Sequence, residues 1–279
     1  MTGLDGDMGY LGQMIGAIFL GISTVAAHGH EFWIDPEQFE IEKGGNVVAA
    51  IRVGELYKGS SYAFVPARFQ LFDLIQGDMR GPVQARIGDR PALNMRINEE
   101  GLLTVLYVST DSTVTYDDPD KFVSFTTHKD AEWVLEEHAR RGLPEAGFTE
   151  IYSRHAKALI AVGEGAGQDA ARGLLTEIVA LKNPYLDDLS EGMPVRVFYQ
   201  GEPRKQAQVE IFARRDGEVL APVTVRTDED GRAVIPVTPG TQYLLDSVVL
   251  RVPAPDIAKA TGAVWESLWA SLVFGVPAE

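Results

Sequence analysis

Two of the five histidines in this 279-residue chain lie two positions apart, His28 and His30, in the stretch VAAHGHEFW. If His28 were a free amino terminus, its amine, the backbone amides after it and the His30 imidazole would surround one ion in a plane. Square-planar nitrogen coordination suits Cu(II) or Ni(II), and the protons it releases make binding pH-dependent. Gly29 adds no side-chain hindrance, and no proline blocks the amides. The His28 imidazole would add a fifth ligand, or form a two-toothed clasp with its own amine. The competing reading is a pair of exposed histidines in a frayed terminus. With no cysteine in the chain, disulfides are excluded and a metal is confined to nitrogen and oxygen ligands.

That chemistry requires a cut after Ala27. Residues 8–27, MGYLGQMIGAIFLGISTVAA, carry no charge and end in Val25-Ala26-Ala27, the short side chains a signal peptidase accepts. The apolar centre, Ile15 to Ile22, is too short and glycine-rich for a membrane span. Asp5 and Asp7 stand where a signal peptide carries positive charge, an objection that a start at Met8 or Met14 would remove. The expectation is a signal peptide over residues 1–27 and a periplasmic mature chain, with an uncleaved membrane anchor as the rival. Forty acidic against 25 basic residues give a formal charge of −15. Such a chain repels phosphate backbones, so nucleic acid is not an expected partner.

Among the other histidines, His128 in TTHKD reads as a loop residue just ahead of a helix, best placed to complete a metal site from a distance. His138 reads as half-exposed within that helix, and His155 as a surface or sheet-edge residue. Enzyme signatures are missing: there is no HExxH, no GxSxG and no thiol nucleophile. GEGAG at residues 163–167 lacks the βαβ setting of a dinucleotide loop. The carboxylates of YDDPD and TDEDG read as turn chemistry, not calcium loops. A non-enzymatic chain is expected.

The elements that must position these residues read as mainly β. Short runs punctuated by Gly, Asp or Pro recur: FWIDPEQFEIEKGG, NVVAAIRVG, ARFQLFDLIQGD, VQARIGD, PALNMRINEEG and GLLTVLYVST. DAEWVLEEHARRG predicts a helix capped by Asp130 and stopped by Gly142. TEIYSR predicts a weaker helical turn, with KALIAVG and EIVALKNPY as strands that close a first domain. Beyond Gly192 the pattern alternates throughout, with Asp230-Gly231 as a hairpin turn and WESLWASLVFGV as a closing strand. The acidic segment NPYLDDLSEGMP reads as the linker. Two β-sandwich domains are therefore expected, 28–190 with a small helical insertion and 191–279.

Several of these segments together resemble an exported bacterial family of unknown function associated with nickel and cobalt uptake (NikM-like). The likeness rests on HEFWIDP, FTEIYSRHAKALIAVG, EIVALKNPY, TDEDGRAVIPVTPGTQYLLDSVVL and WESLWASLVF, in that order along most of the chain. The resemblance implies a β-sandwich with a helical insertion followed by a transthyretin-like or Ig-like sandwich. Of the histidines, it carries over His30, ahead of the Phe-Trp pair. This chain departs from the pattern in placing His28-Gly29 before it, and in having histidine at 155 where a tyrosine-like residue is expected.

The expected function is a periplasmic accessory protein that binds Ni(II) or Co(II), with Cu(II) also possible, through His28 and His30 with His128 as a third side chain. A membrane metal transporter would be its partner. The alternative is a cell-envelope module that binds a protein or glycan without metal. A copper oxidase using the terminal clasp is a third reading, with no other feature behind it.

Overall fold

A computed structural model describes residues 30–278; the expected signal segment, residues 1–27, and His28 and Gly29 lie outside them. In chain order the first part forms β1 (Glu31–Pro36), β2 (Glu40–Ile41), β3 (Asn46–Glu55), β4 (Lys58–Tyr62), a 3₁₀ turn (Pro66–Arg68), β5 (Phe69–Gln76), β6 (Met79–Pro82), β7 (Leu93–Arg96), β8 (Gly101–Ser109) and β9 (Ser112–Tyr116). Helices α1 (Pro119–His128) and α2 (Trp133–Arg140) follow, then the long β10 (Phe148–Val162) and β11 (Thr176–Ala180). The remainder is β12 (Met193–Tyr199), β13 (Glu202–Pro203), β14 (Gln208–Arg215), β15 (Glu218–Val219), β16 (Val223–Arg226), β17 (Arg232–Ile235), β18 (Thr241–Arg251), α3 (Pro255–Thr261) and β19 (Ala263–Val276).

The chain is mainly β, as its patterning predicts. Its spine is an 11-stranded sheet with the path β15-β14-β18-β19-β10-β8-β5-β6. A 4-stranded sheet of β1, β3, β4 and β7 packs on one face, and a 4-stranded sheet of β11, β12, β13 and β17 packs on the other. The middle strands are thus buried on both faces. On β10, Ala156, Ala158, Ile160 and Val162 enter the first core, while Leu159 enters the second beside Ala270, Leu272 and Phe274 of β19. β19 runs parallel to β10 and antiparallel to β18, so the final strand joins strands from both parts of the chain. Strand β11 precedes residue 190 but pairs with β12 beyond it.

Several local expectations are corrected. TEIYSR is not a helical turn: it is the start of β10, buried beside β9 and β19. VQARIGD is irregular apart from a turn. YDDPD opens a helix: the Asp118 carboxylate accepts the Asp120 N–H, and Pro119 occupies the first helical position. His128 is consequently the last residue of α1 and not a loop residue. Asp130 does not cap α2, which begins at Trp133. It takes a left-handed φ of 56° and receives both guanidinium arms of Arg226 at 2.6 and 2.7 Å. Asp230-Gly231 does not close a hairpin, because β16 pairs with β14 and β17 with β12. The Asp228 carboxylate accepts the N–H groups of Asp230 and Arg232, turning the chain from one sheet to another.

A buried ion cluster fixes the loop that follows β10. The Lys157 ammonium lies 3.0 Å from Asp169 and 2.7 Å from Glu177, all three side chains being 2% exposed or less. Asp169 also accepts the Ala180 N–H at 2.9 Å, and Glu177 accepts the Arg172 N–H at 2.9 Å. GEGAG and the residues after it are thereby tied to β10 and β11 as a structural loop. Replacing Lys157 by Met strands two buried carboxylates, and we expect a loss of about 3–5 kcal/mol. Urea unfolding of the variant at neutral pH measures it.

Candidate functional site

On a strand, residues two apart share a face. Glu150, Tyr152 and Arg154 of β10 therefore line up, and the parallel register sets them beside Trp265, Ser267 and Trp269 of β19. One end of this strip is roofed by the helices, with Phe125 stacked on Trp269 at 5.6 Å and Phe122 near Trp265 at 6.5 Å. Ala156 and the residues after it are covered by the sheet that contains β1. Between the two covers the strip opens into two adjoining hollows of about 290 and 340 Å³, both lined by Tyr152 and Arg154.

His30 lies at the smaller hollow, with Lys121, Glu150 and Trp269 also on its lining. Its carbonyl accepts a short hydrogen bond from Arg154, and its imidazole stands 3.7 Å from the Glu55 carboxylate. The ring is 60% exposed, so it is held from behind and open in front. Glu31, the next residue, is turned inward, where its carboxylate accepts the Leu56 N–H at 3.0 Å. This bond fastens β1 to the β3–β4 turn, where Leu56 and Tyr57 adopt positive φ. Gly54 and Gly59 let the hairpin strands close: a Cβ at Gly54 would meet the Lys58 carbonyl at 1.9 Å.

Beneath β1 lies a charged cluster. Lys129, just past α1, points its ammonium between Glu210 of β14 and Asp246 of β18, which face each other in the ladder. Asp246 is 3.0 Å away, Glu210 closer still, and Glu31 completes the set at 3.9 Å. The ammonium also sits 4.8 Å from the Trp269 ring. Burial works against the Lys129 charge, but Asp246, Glu210 and Glu31 more than offset it and hold the ammonium above its usual range. Burial pushes Glu31 up to about 8, with Lys129 pulling the other way. Glu210 is also penalised by burial, yet its bonds to His128 and Lys129 keep it below the usual carboxylate range.

The predicted residues separate accordingly. His30 faces a hollow. His128 places Nε2 2.6 Å from Glu210, as part of the ion cluster. His28 lies outside the described residues. His138 is not half-exposed but buried: it accepts from the Trp265 indole at Nδ1 and approaches the Pro144 carbonyl with Nε2, each at 2.9 Å. His155 is not at the surface either; inside β10, burial holds its imidazole down at about 4. Among the described residues, no group of three or more His, Asp or Glu side chains is arranged to hold a metal ion. The carboxylates of Glu31, Glu210 and Asp246 already enclose a cation, the Lys129 ammonium.

The sequence reading missed Glu150, Arg154 and Lys129. For the first two a signal was present in the two-residue spacing of Glu150, Tyr152 and Arg154, had TEIYSR been taken as strand. Glu150 is 2% exposed, accepts from the Tyr116 hydroxyl at 2.8 Å and receives a short bond from Ser267. Burial raises it from 4.5 to about 7. A folded carboxyl that keeps its proton longer than the unfolded one loses stability as pH rises, here between about 4.5 and 7, and the loss then levels off. Glu150→Gln removes that charge while its amide still bonds Tyr116 and Ser267. We expect the variant to be more stable than the parent by on the order of 3 kcal/mol at pH 9, and by less than about 1 kcal/mol at pH 5. Thermal or urea unfolding at the two pH values measures the difference.

No curated protein matches the chain in sequence. Among solved structures, the D0-D1 domain of Intimin aligns over 88% of this chain and 97% of its own, at 11% identity and a TM-score of 0.22. Dimeric latent PorU from Porphyromonas gingivalis aligns over 88% of this chain and 20% of its own, at 13% identity and a TM-score of 0.18. Scores this low bear on neither fold nor function. The family comparison is the informative one. A model described as a domain of unknown function, DUF4198, matches residues 27–250, and the chain belongs to that family.

Proposed function

We propose that this chain is a periplasmic, non-enzymatic protein that binds a transition metal as cargo for uptake or homeostasis: nickel or cobalt, with copper as the alternative. The supporting observation is the seat of His30. Its backbone is pinned by Arg154, its ring projects outward, and the Glu55 carboxylate stands beside the imidazole. A carboxylate next to a ligating imidazole helps to orient the ring. On this reading the ion is held by the His28 amine and imidazole and by the His30 imidazole and backbone nitrogen. His128 would join only by giving up Glu210. The cargo would pass to a membrane metal transporter.

The alternative, an envelope module for a protein or glycan, would be favoured by an exposed apolar patch around Trp265 and Trp269. Those indoles are 0% and 4% exposed, beneath α1 and α2.

The reading is tested by calorimetric titration with Ni(II), Co(II) and Cu(II), on protein whose first residue has been established by mass spectrometry. A chain beginning at His28 should bind one ion. His30→Ala should abolish that binding, and Glu55→Gln should weaken it by about tenfold. Unchanged affinity in His30→Ala would sink the proposal, whereas a loss in His128→Ala would bring the third histidine into the site.

A further inference from the structure

The larger hollow, of about 340 Å³, stands apart from the histidine chemistry. Its volume falls at the small end of ligand sites, which run to roughly 300–1,000 Å³. Its charged lining consists of Arg68 and Arg154, with no carboxylate among the lining residues. In a chain with 40 acidic and 25 basic residues, a concave surface lined by guanidinium groups alone is unusual.

Neither guanidinium is consumed by the fold. Arg154 gives one bond to the His30 carbonyl and has no ion-pair partner among the described residues. Asp246, Glu31 and Glu150 act on it only at longer range. Its plane is fixed by rings instead, with Trp269 at 4.7 Å, Tyr152 at 5.2 Å and Phe32 at 6.0 Å. Arg68, on the exposed 3₁₀ turn, lies 5.8 Å from the Tyr62 ring and donates no side-chain hydrogen bond to the described residues. A guanidinium presents five donors in a planar fork that matches a carboxylate. Holding one in place by aromatic contacts leaves that fork ready for an anion from outside.

The rest of the wall describes the body of the ligand. Phe32, Tyr62, Tyr107 and Tyr152 present aromatic surface, and Ile51 and Val53 add aliphatic surface. The hydroxyls of Tyr62, Tyr152 and Ser112 have no partner among the described residues and lie at the same hollow. We propose that this hollow binds a small organic carboxylate with a flat apolar body, its carboxylate taken by Arg154 and Arg68 and its body laid against the tyrosines. The site does not depend on a metal at His30.

Calorimetry on the chelator-treated full-length protein tests this with benzoate and 4-hydroxyphenylacetate, beside their neutral amides and inorganic phosphate. Saturable one-to-one binding of an acid is expected, with the amide at least about tenfold weaker, since the charge-assisted bonds are lost. Arg154→Gln should abolish binding. Should that variant fail to fold, Arg68→Gln, at an exposed turn, carries the test with an expected weakening of about tenfold. Arg68→Gln should leave the metal titration unchanged, which separates failure of this site from failure of the metal reading. The proposal is overturned if neither acid saturates, if acid and amide bind alike, if phosphate binds more tightly than either acid, or if Arg68→Gln keeps the parent affinity.

Discussion

One buried ammonium gathers three separate parts of this molecule. Lys129 meets Glu210 and Asp246 from the spine sheet and Glu31 from β1, so a single positive charge ties together the helical cap, the first strand and the floor beneath them. Removing such a group costs far more than its net contribution to stability, because three carboxylates would remain in a place water barely reaches. The lysine therefore serves chiefly to fix geometry. Its ammonium touches the Trp269 ring and Glu31, the first residue of β1 and the neighbour of His30.

A second consequence concerns what the cluster leaves available. Three carboxylates and a histidine side by side would ordinarily suggest a seat for a divalent cation. Here the protein supplies its own cation, and His128 bonds Glu210 from the other side. The groups left open toward outside ligands stand at the rim, and both proposals rest on them: His30 and Arg154. Both are held through contacts that leave their reactive edges open: a backbone carbonyl in one case, aromatic faces in the other.

How much of this was legible follows from where polar residues sit. Alternation marks β3, which has one wet face, and also the tail that becomes β19, although both faces of that strand are buried; the mainly β class follows. Strand β10 was harder, because Glu150, Arg154 and Lys157 interrupt its apolar pattern, the first and last of them fully buried and Arg154 partly so. Pattern rules send charge outward, whereas here Glu150 and Arg154 meet partners from distant parts of the chain and Lys157 meets Asp169 and Glu177 from the segment that follows β10. The same rule misplaces His138, read as half-exposed, and His155, read as a surface or sheet-edge residue; both are buried. Helix α1 carried a readable start, Asp118 followed by Pro119, but the run of acids obscured it. Lys129 gave no local sign at all, since its partners lie 81 and 117 residues away.

The position of β19 bears on how the chain reaches this state. Its 14 residues lie between β18 and β10, so the spine has a gap until this strand takes its place. Until then β10 keeps an open edge. Contacts this distant in sequence also slow folding, since a long loop must close before they repay its entropy. Closing the spine and joining the two parts of the chain are therefore a single event, the insertion of β19 between β18 and β10.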